Sequence, residues 1–236
     1  MKLLAFDTST ELISMAVTRP VDGVAQVWQH TGAGGAQASS GLIPAIESLM
    51  AQAELRFDAL DAIVFGQGPG SFTGLRTACS VAQGLAFGSG VKVLPVDTLL
   101  AVAEEARHRH AGDLASWRVL ALLDARMDEL YAAHYAFAQG QWSRPEDYQL
   151  LRPELVHAQE GEALAGNVFE TYGERIDAPP AQARWQVPPT AAAMLRLAPA
   201  LCAAGLAVPP EQALPRYIRD KVAKTTLERA AEKAQR

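Results

Sequence analysis

The stretch Phe65-Gly66-Gln67-Gly68-Pro69-Gly70-Ser71-Phe72-Thr73-Gly74-Leu75-Arg76 places four glycines and a proline between two regular patterns. Before it, Ala62–Phe65 is a short β-branched and aromatic run, which predicts a buried strand. After it, the small and apolar residues of Leu75–Phe87 predict a helix. A glycine-rich turn that leads from a strand into a helix indicates an α/β fold.

The glycine turn has two interpretations. Backbone N–H groups and a helix N-terminus converge at such a turn, which suits an anion. However, the spacing matches neither GxxxxGK[ST] nor GxGxxG. Alternatively, the turn is structural: its glycines adopt backbone conformations closed to other residues, and Ser71 or Thr73 caps the helix. The spacing favours the structural turn.

The flanking patterns predict further strands and helices. Upstream, a polar turn at Asp7–Thr10 separates two strands of a hairpin, and a small, polar stretch at Thr31–Ser40 precedes an amphipathic helix. The predicted strands are Leu3–Phe6, Ile13–Thr18, Val24–Gln29 and Val91–Val96, and the predicted helices are Leu42–Ala53 and Thr98–Ala106.

The opening pattern then recurs. Val119–Asp124 is an apolar strand that ends in Asp, like Leu3–Asp7, and Leu130–Phe137 returns after a polar turn. This weak internal repeat predicts two related α/β lobes. We expect a first lobe over 1–106, a second over 107–218 and a C-terminal helix or tail over 219–236. Within the second lobe, Ala178–Pro189 is predicted as a loop and Thr190–Ala204 as a helix.

Composition limits the function. The chain has 236 residues, 49% of them apolar, and 21 basic against 26 acidic side chains give a net charge of −5. That charge argues against a free-standing nucleic-acid binder, although nucleic acid can still be the substrate of a complex. The two cysteines, Cys79 and Cys202, lie far apart in the sequence and form no CxxC pair. This argues against a disulfide framework or a structural zinc site and favours a reducing compartment. Without a signal-peptide pattern or a run of ~20 apolar residues, we expect a cytoplasmic protein with no membrane partner.

Two groups of residues are candidates for chemistry or binding. Asp7, Thr8 and Ser9, with Asp124 across a cleft, could hold a metal-bound phosphate, but such turns more often bond their own backbone. The predicted helix after the glycine turn carries small residues four apart, which lets a neighbour approach closely. Packing within the lobe and a subunit interface remain equal alternatives here. The small residues are Gly74, Ala78 and Ala82 in one row and Ser80, Gly84 and Gly88 in another.

Five stretches of the chain resemble the bacterial TsaB (YeaZ) family, in the family's order. They are Leu3–Thr10, Gly66–Arg76, Ala82–Ala86, Asp124–Tyr131 and Pro215–Arg219. The resemblance implies an α/β fold of two lobes, actin-like ATPase and ribonuclease-H-like, with mixed sheets flanked by helices. It also implies a role in making threonylcarbamoyladenosine in tRNA, as a partner of the transferase TsaD and the ATPase TsaE.

The resemblance implies that this chain is not the enzyme. The catalytic paralogue carries a His-x-x-x-His metal pair after the strand that follows the glycine-turn helix, and Thr98 and Val102 stand there instead. Neither residue can replace imidazole as a transition-metal ligand. We therefore expect no cofactor of its own, with ATP and metal on the partner subunits. One departure from many relatives is the run Gln37–Gly41, which replaces a His-Ser pair.

Our leading hypothesis is a scaffold subunit that contributes no acid, base or nucleophile. It would bind TsaD through the first lobe, form a homodimer when alone and meet tRNA only through the complex. An ATP-dependent transferase or kinase that uses Asp7 and Asp124 is the alternative, and a peptidase is more remote. The predicted interface residues are Leu42, Ile46, Leu49, Ser71, Phe72, Thr73, Gly74, Arg76, Thr77, Ala78 and Val81.

Overall fold

A computed structural model describes residues 1–35, 38–179 and 182–219, with only the backbone of 38–40. The predicted tail after Arg219 lies outside the described residues, as does Gln37 of the departing loop. Cys79 and Cys202 are free thiols. None of the helices in the described ranges is both long and apolar enough to cross a membrane.

The first lobe is built on a mixed five-stranded sheet in the order β3-β2-β1-β4-β5. Its first three strands form an antiparallel meander, and β4 and β5 run parallel to β1. The strands are β1 (Leu3–Asp7), β2 (Leu12–Val21), β3 (Val24–Ala33), β4 (Ala62–Gly68) and β5 (Val93–Asp97).

The second lobe repeats this arrangement. Its sheet has the order β11-β10-β6-β7-β8, so that β6 and β7 form the antiparallel hairpin and β10 and β11 run parallel to β6. The short β9 pairs with β7. The strands are β6 (Ser116–Arg126), β7 (Glu129–Ala138), β8 (Gln141–Ser143), β9 (Gln149–Leu151), β10 (Ala163–Gly166) and β11 (Arg184–Gln186).

The helices form layers around the two sheets. Helices α1 (Ala38–Gln52) and α2 (Phe72–Ser89) share a core with one face of the first sheet. The other face packs on α5 (Ala191–Ala203), whereas α3 (Thr98–His110) shares a core with the second sheet. Since α3 and α5 also contact each other, they lie between the sheets. A single helical turn, α4 (Phe169–Tyr172), covers the far side of the second sheet.

The two-lobed α/β prediction and both hairpins are confirmed, but several element bounds differ. The predicted polar stretch at Thr31–Ser40 is wrong at both ends, because β3 pairs with β2 as far as Ala33 and α1 begins at Ala38. The predicted loop Ala178–Pro189 contains β11, which exists through its pairing with β10. The boundary expected after residue 106 falls inside α3, which Asp97 caps and which continues to His110.

Candidate functional site

The glycine turn packs directly on the first hairpin. A Cβ atom at Gly74 would lie 1.8 Å from the Thr8 carbonyl oxygen, and one at Gly70 would lie 2.5 Å from the Ser9 Cβ. These positions accept only glycine because the backbones approach more closely than any side chain allows. The hydroxyl of Thr8 donates to the Gly74 carbonyl over 2.6 Å, which fastens the start of α2 to β1.

Two of the N–H groups at this turn are already paired within the protein. The Ser71 N–H donates to the Ser9 carbonyl over 2.8 Å, and the Gly68 N–H donates to the Thr98 hydroxyl over 3.2 Å. Ser71 occupies the N-cap position of α2, but its side chain makes no capping hydrogen bond. The close packing of Gly70 and Gly74 agrees with the structural interpretation of the turn, whereas the predicted side-chain cap by Ser71 is wrong.

Asp7 is enclosed at the end of β1. Its side chain accepts the N–H and hydroxyl of Ser9, and the Thr98 hydroxyl lies 3.5 Å away. A Cβ at Gly66 would lie 1.8 Å from the Asp7 carboxylate, so this glycine makes room for the acid. Burial raises the pKa of Asp7 to about 6, against the opposing effect of the Ser9 hydrogen bonds.

The corresponding hairpin of the second lobe is open. Asp124 is partly exposed and accepts the Arg126 N–H over 2.7 Å and the Tyr172 hydroxyl over 3.2 Å. At the tip, Arg126, Met127 and Asp128 all have positive φ angles between 58° and 61°. Three successive left-handed residues without glycine are strained, so other contacts must hold this tip in place.

A cleft of about 500 Å³ separates the two hairpins. Ser9 and Asp124 line it, but Asp7 and Thr8 do not. A salt bridge between Arg126 and Glu11 joins the two hairpins at this cleft. The structure does not bring Asp7 and Asp124 to one surface, so these residues do not fit a nucleotide phosphate held between two acidic hairpins.

The two rows of small residues on α2 have different surroundings. Gly74, Ala78 and Ala82 are buried against the sheet of their own lobe. By contrast, Ser80, Gly84 and Gly88 are exposed, and Cβ atoms built at the two glycines would have no neighbour within 4 Å. One row therefore packs within the lobe, and the other leaves a shallow outer surface.

The predicted interface residues divide in the same way. Leu42, Ile46, Leu49, Gly74 and Ala78 are buried in the first lobe, so they support the outer surface without forming it. The other predicted residues are exposed or partly exposed: Ser71, Phe72, Thr73, Arg76, Thr77 and Val81.

Thr98 and Val102, which stand in place of the paralogue's histidines, are fully buried in α3. The Thr98 hydroxyl lies between the Gly68 N–H and Asp7, and Val102 belongs to the apolar core with β6. Among the described residues, no group of three His, Cys, Asp or Glu side chains could hold a metal ion.

Sequence reasoning gave no role to the segment that follows α5. Its Arg216 N–H donates to the Gln67 carbonyl over 2.6 Å, and the Arg216 guanidinium donates to the Tyr148 hydroxyl. The Tyr148 hydroxyl in turn donates to Asp97 over 2.8 Å. The signal available in the sequence was the run Pro215–Arg219, which resembles the family but carries no recognisable periodicity.

The fold and the cleft together define a class of protein: a two-lobed, actin-like and ribonuclease-H-like α/β protein. Residues 33–204 match the family model described as "TsaD: tRNA N6-adenosine threonylcarbamoyltransferase". The chain belongs to the family of that model, and its relatives along the full length place it among the TsaB (YeaZ) proteins.

Two similar proteins cover nearly the whole chain. The tRNA threonylcarbamoyladenosine biosynthesis protein TsaB of Escherichia coli (strain K12) is 32% identical, over 94% of this chain and 96% of the relative. The solved structure of YeaZ from Pseudomonas aeruginosa is 37% identical, with a TM-score of 0.80 over 92% of this chain and 99% of that one. The TsaB of Haemophilus influenzae is 38% identical over 55% of this chain and 51% of the relative.

Proposed function

We propose that this protein is a non-catalytic subunit in the biosynthesis of threonylcarbamoyladenosine in tRNA, and that it binds the transferase TsaD together with the ATPase TsaE. The name of its relatives, tRNA threonylcarbamoyladenosine biosynthesis protein TsaB, supports the pathway. The observation that carries the non-catalytic role is the enclosure of Asp7 behind Gly66, Ser9 and Thr98. An acid that cannot reach the cleft does not bind a substrate there.

The outer side of α1 and α2 is the surface we propose for the partner. Both helices share a core with the same sheet face and contact each other, so their outer sides adjoin. On α1, Ile43 is 43% exposed, and on α2, Phe87 is 62% exposed. Exposed apolar side chains beside small residues that allow close approach suit a second helical surface.

We call this surface the docking face. It consists of the exposed or partly exposed residues Ile43, Glu47, Ser71, Phe72, Thr73, Arg76, Thr77, Ser80, Val81, Gly84, Phe87 and Gly88. When the chain is alone, a second copy occupies the same face and forms a homodimer. Binding then positions TsaD, while ATP, metal and tRNA bind on the partner subunits. The assembly is cytoplasmic.

Light scattering of the protein, alone and mixed with TsaD and TsaE from the same organism, tests this proposal. We expect the mass of a homodimer alone and of a heterodimer with TsaD. We also expect no threonylcarbamoyl transfer from this protein alone, and transfer by TsaD that requires it. Absence of association under all conditions, or transfer by this chain alone, would contradict the proposal.

The alternative is an ATP-dependent transferase or kinase, and the cleft lined by Ser9 and Asp124 is the observation in its favour. Since a ligand that binds only the native state raises the melting temperature, Mg-ATP distinguishes the two functions. The scaffold proposal predicts no shift with Mg-ATP, and the enzyme alternative predicts a rise that Asp124→Asn abolishes.

A further inference from the structure

The segment over residues 208–219, which we call the strap, contacts both lobes along its course. At its start, Val208 and Val93 at the edge of the first sheet exchange two backbone hydrogen bonds of 2.8 and 3.0 Å. Next, the Ala213 carbonyl accepts from Gln83 of α2 over 2.9 Å and from the Cys79 thiol over 3.3 Å. The first half of the strap is thus fixed to the first lobe.

The strap then crosses to the second lobe. At Arg216 the strap still contacts β4 of the first lobe. The Arg216 N–H donates to the Gln67 carbonyl, and a Cβ at Gly68 would lie 2.6 Å from the Arg216 carbonyl oxygen. Two residues on, Ile218 packs against the core of the second lobe. At its far end, Arg219 bonds Glu129 and donates to the Arg126 carbonyl over 3.3 Å.

Arg219 therefore holds the strained hairpin tip of the second lobe. The carbonyl that Arg219 contacts is that of Arg126, the first of the three left-handed residues. The Arg219 guanidinium also reaches the sulfur of Met127. The same tip closes on the first lobe through the Arg126–Glu11 pair. The end of the strap thus contacts the same hairpin tip that is paired with the first lobe across the cleft.

Between these anchors, Tyr217 rests on the start of α2. Its ring lies 5.2 Å from the Phe72 ring, and the Arg76 guanidinium donates to its hydroxyl over 3.0 Å. The same guanidinium stacks on Phe72 at 3.8 Å. Phe72 and Arg76 belong to the docking face, so one segment touches the cleft and that face.

We propose that the strap transmits the state of the interlobe cleft to the first turn of α2. Opening the cleft displaces Arg219, and the movement reaches Phe72 and Arg76 through Tyr217. The consequence for TsaD rests on the proposed function, whereas the coupling is a property of this chain alone.

Hydrogen exchange of the isolated protein tests the coupling. Arg219→Ala removes the anchor in the second lobe, and two amides report on the first lobe: Arg216, bonded to Gln67, and Leu75, bonded to Ser71 in the first turn of α2. We expect both amides to exchange faster by about tenfold or more, since hydrogen bonds to charged groups are lost. Arg184→Ala is the matched control, because the Arg184 guanidinium donates to the carbonyls of Gly173, Ile176 and Ala178 within the second lobe.

Unchanged exchange at Leu75 in Arg219→Ala would overturn the coupling, as would an equal effect of Arg184→Ala. A second check compares the double variant Tyr217→Ala, Arg219→Ala with Tyr217→Ala alone. Without the Tyr217 ring, Arg219→Ala should no longer change the exchange rate of the Leu75 amide. Titration of the wild-type protein with TsaD separates the two proposals. If TsaD does not bind but the exchange changes as expected, the proposed function fails and the strap stands.

Discussion

The two lobes share one strand order but hold their hairpins by different means. In the first lobe, the turn after β1 is sealed by backbone contacts, with Thr8 against Gly74 and Ser9 against Gly70. In the second lobe, the tip after β6 is exposed and strained, and charged side chains hold it, through the ion pairs of Arg126, Arg175 and Arg219. Backbone packing fixes one hairpin, and electrostatics fixes the other.

The helices of the two lobes also differ, in their length. Between its strands, the first lobe carries the 15-residue α1 and the 18-residue α2. The second lobe has a 3-10 turn at Pro153–Leu155 and the four-residue α4 in the matching places. Only the first lobe therefore presents a broad helical surface among the described residues. Substitutions that change side-chain volume should therefore lower the stability of the first lobe most. Substitutions that change charge should lower the stability of the second lobe only slightly.

The largest effect is expected from Gly74→Ala. The new Cβ would meet the Thr8 carbonyl at 1.8 Å, so the first hairpin or α2 must shift, and we expect a loss of about 3 kcal/mol in the free energy of unfolding. Gly84→Ala is the control on the same helix, where the Cβ meets nothing and the better helix propensity adds about 1 kcal/mol. Urea unfolding measures both. A mild effect of Gly74→Ala would show that the contact is not rigid.

Asp7→Asn is expected to stabilise the protein in a pH-dependent way. The pKa of Asp7 is about 6 when folded against 3.8 for the free side chain, so the folded chain binds more protons between these values. The free energy of unfolding of the wild type therefore falls from about pH 4 to about pH 6 and stays level above. Asparagine removes this loss, a gain of up to about 3 kcal/mol at pH 7.5 and little at pH 4.

Asp124→Asn is the matched change in the second lobe. It removes the partly exposed pair with Arg126, so we expect a loss below about 1 kcal/mol and no stabilisation at neutral pH. Thermal melts of both variants across pH 4 to 8 provide the comparison. If the difference in melting temperature between Asp7→Asn and the wild type were the same at every pH, Asp7 would be solvated and not enclosed.

His134 gives the second lobe a pH dependence in a different range. Its imidazole bonds buried Glu162 over 2.9 Å, and this carboxylate raises the pKa of His134 above its usual 6.5. Protonation of His134 then stabilises the folded state, and the stability is lost as the pH rises through the raised pKa. His134→Gln should remove this slope above pH 6.5 and leave the Asp7 slope intact. A slope unchanged in the variant would contradict the assignment.

The smallest effect is expected from Glu11→Gln. Both partners of the Glu11–Arg126 pair are largely exposed, so we expect less than about 1 kcal/mol of lost stability. The effect should fade at high salt because the pair is screened. Melts at 50 and 500 mM salt measure it, and a loss comparable to that of Gly74→Ala would abolish the contrast between the two hairpins.

Much of the first lobe could be predicted from the sequence because its signals are local. The alternation in β2, the spacing in α1 and the glycines after β4 each mark an element directly. Burial of Ala78 was not predictable, since a row of small residues suits a core and an interface equally. The short β11 and the strap escaped prediction because distant partners, β10 and Gln67, stabilise them.

The docking face can be tested with one substitution that leaves the fold intact. Gly84→Arg puts a long charged side chain into open space and improves helix propensity, whereas the buried Ala78 cannot be changed to Glu without disturbing the core. Ala200→Arg, at the exposed end of α5, is the control. Light scattering with TsaD should show a heterodimer for the wild type and Ala200→Arg and separate proteins for Gly84→Arg. A heterodimer of Gly84→Arg with unchanged affinity would contradict docking through α1 and α2.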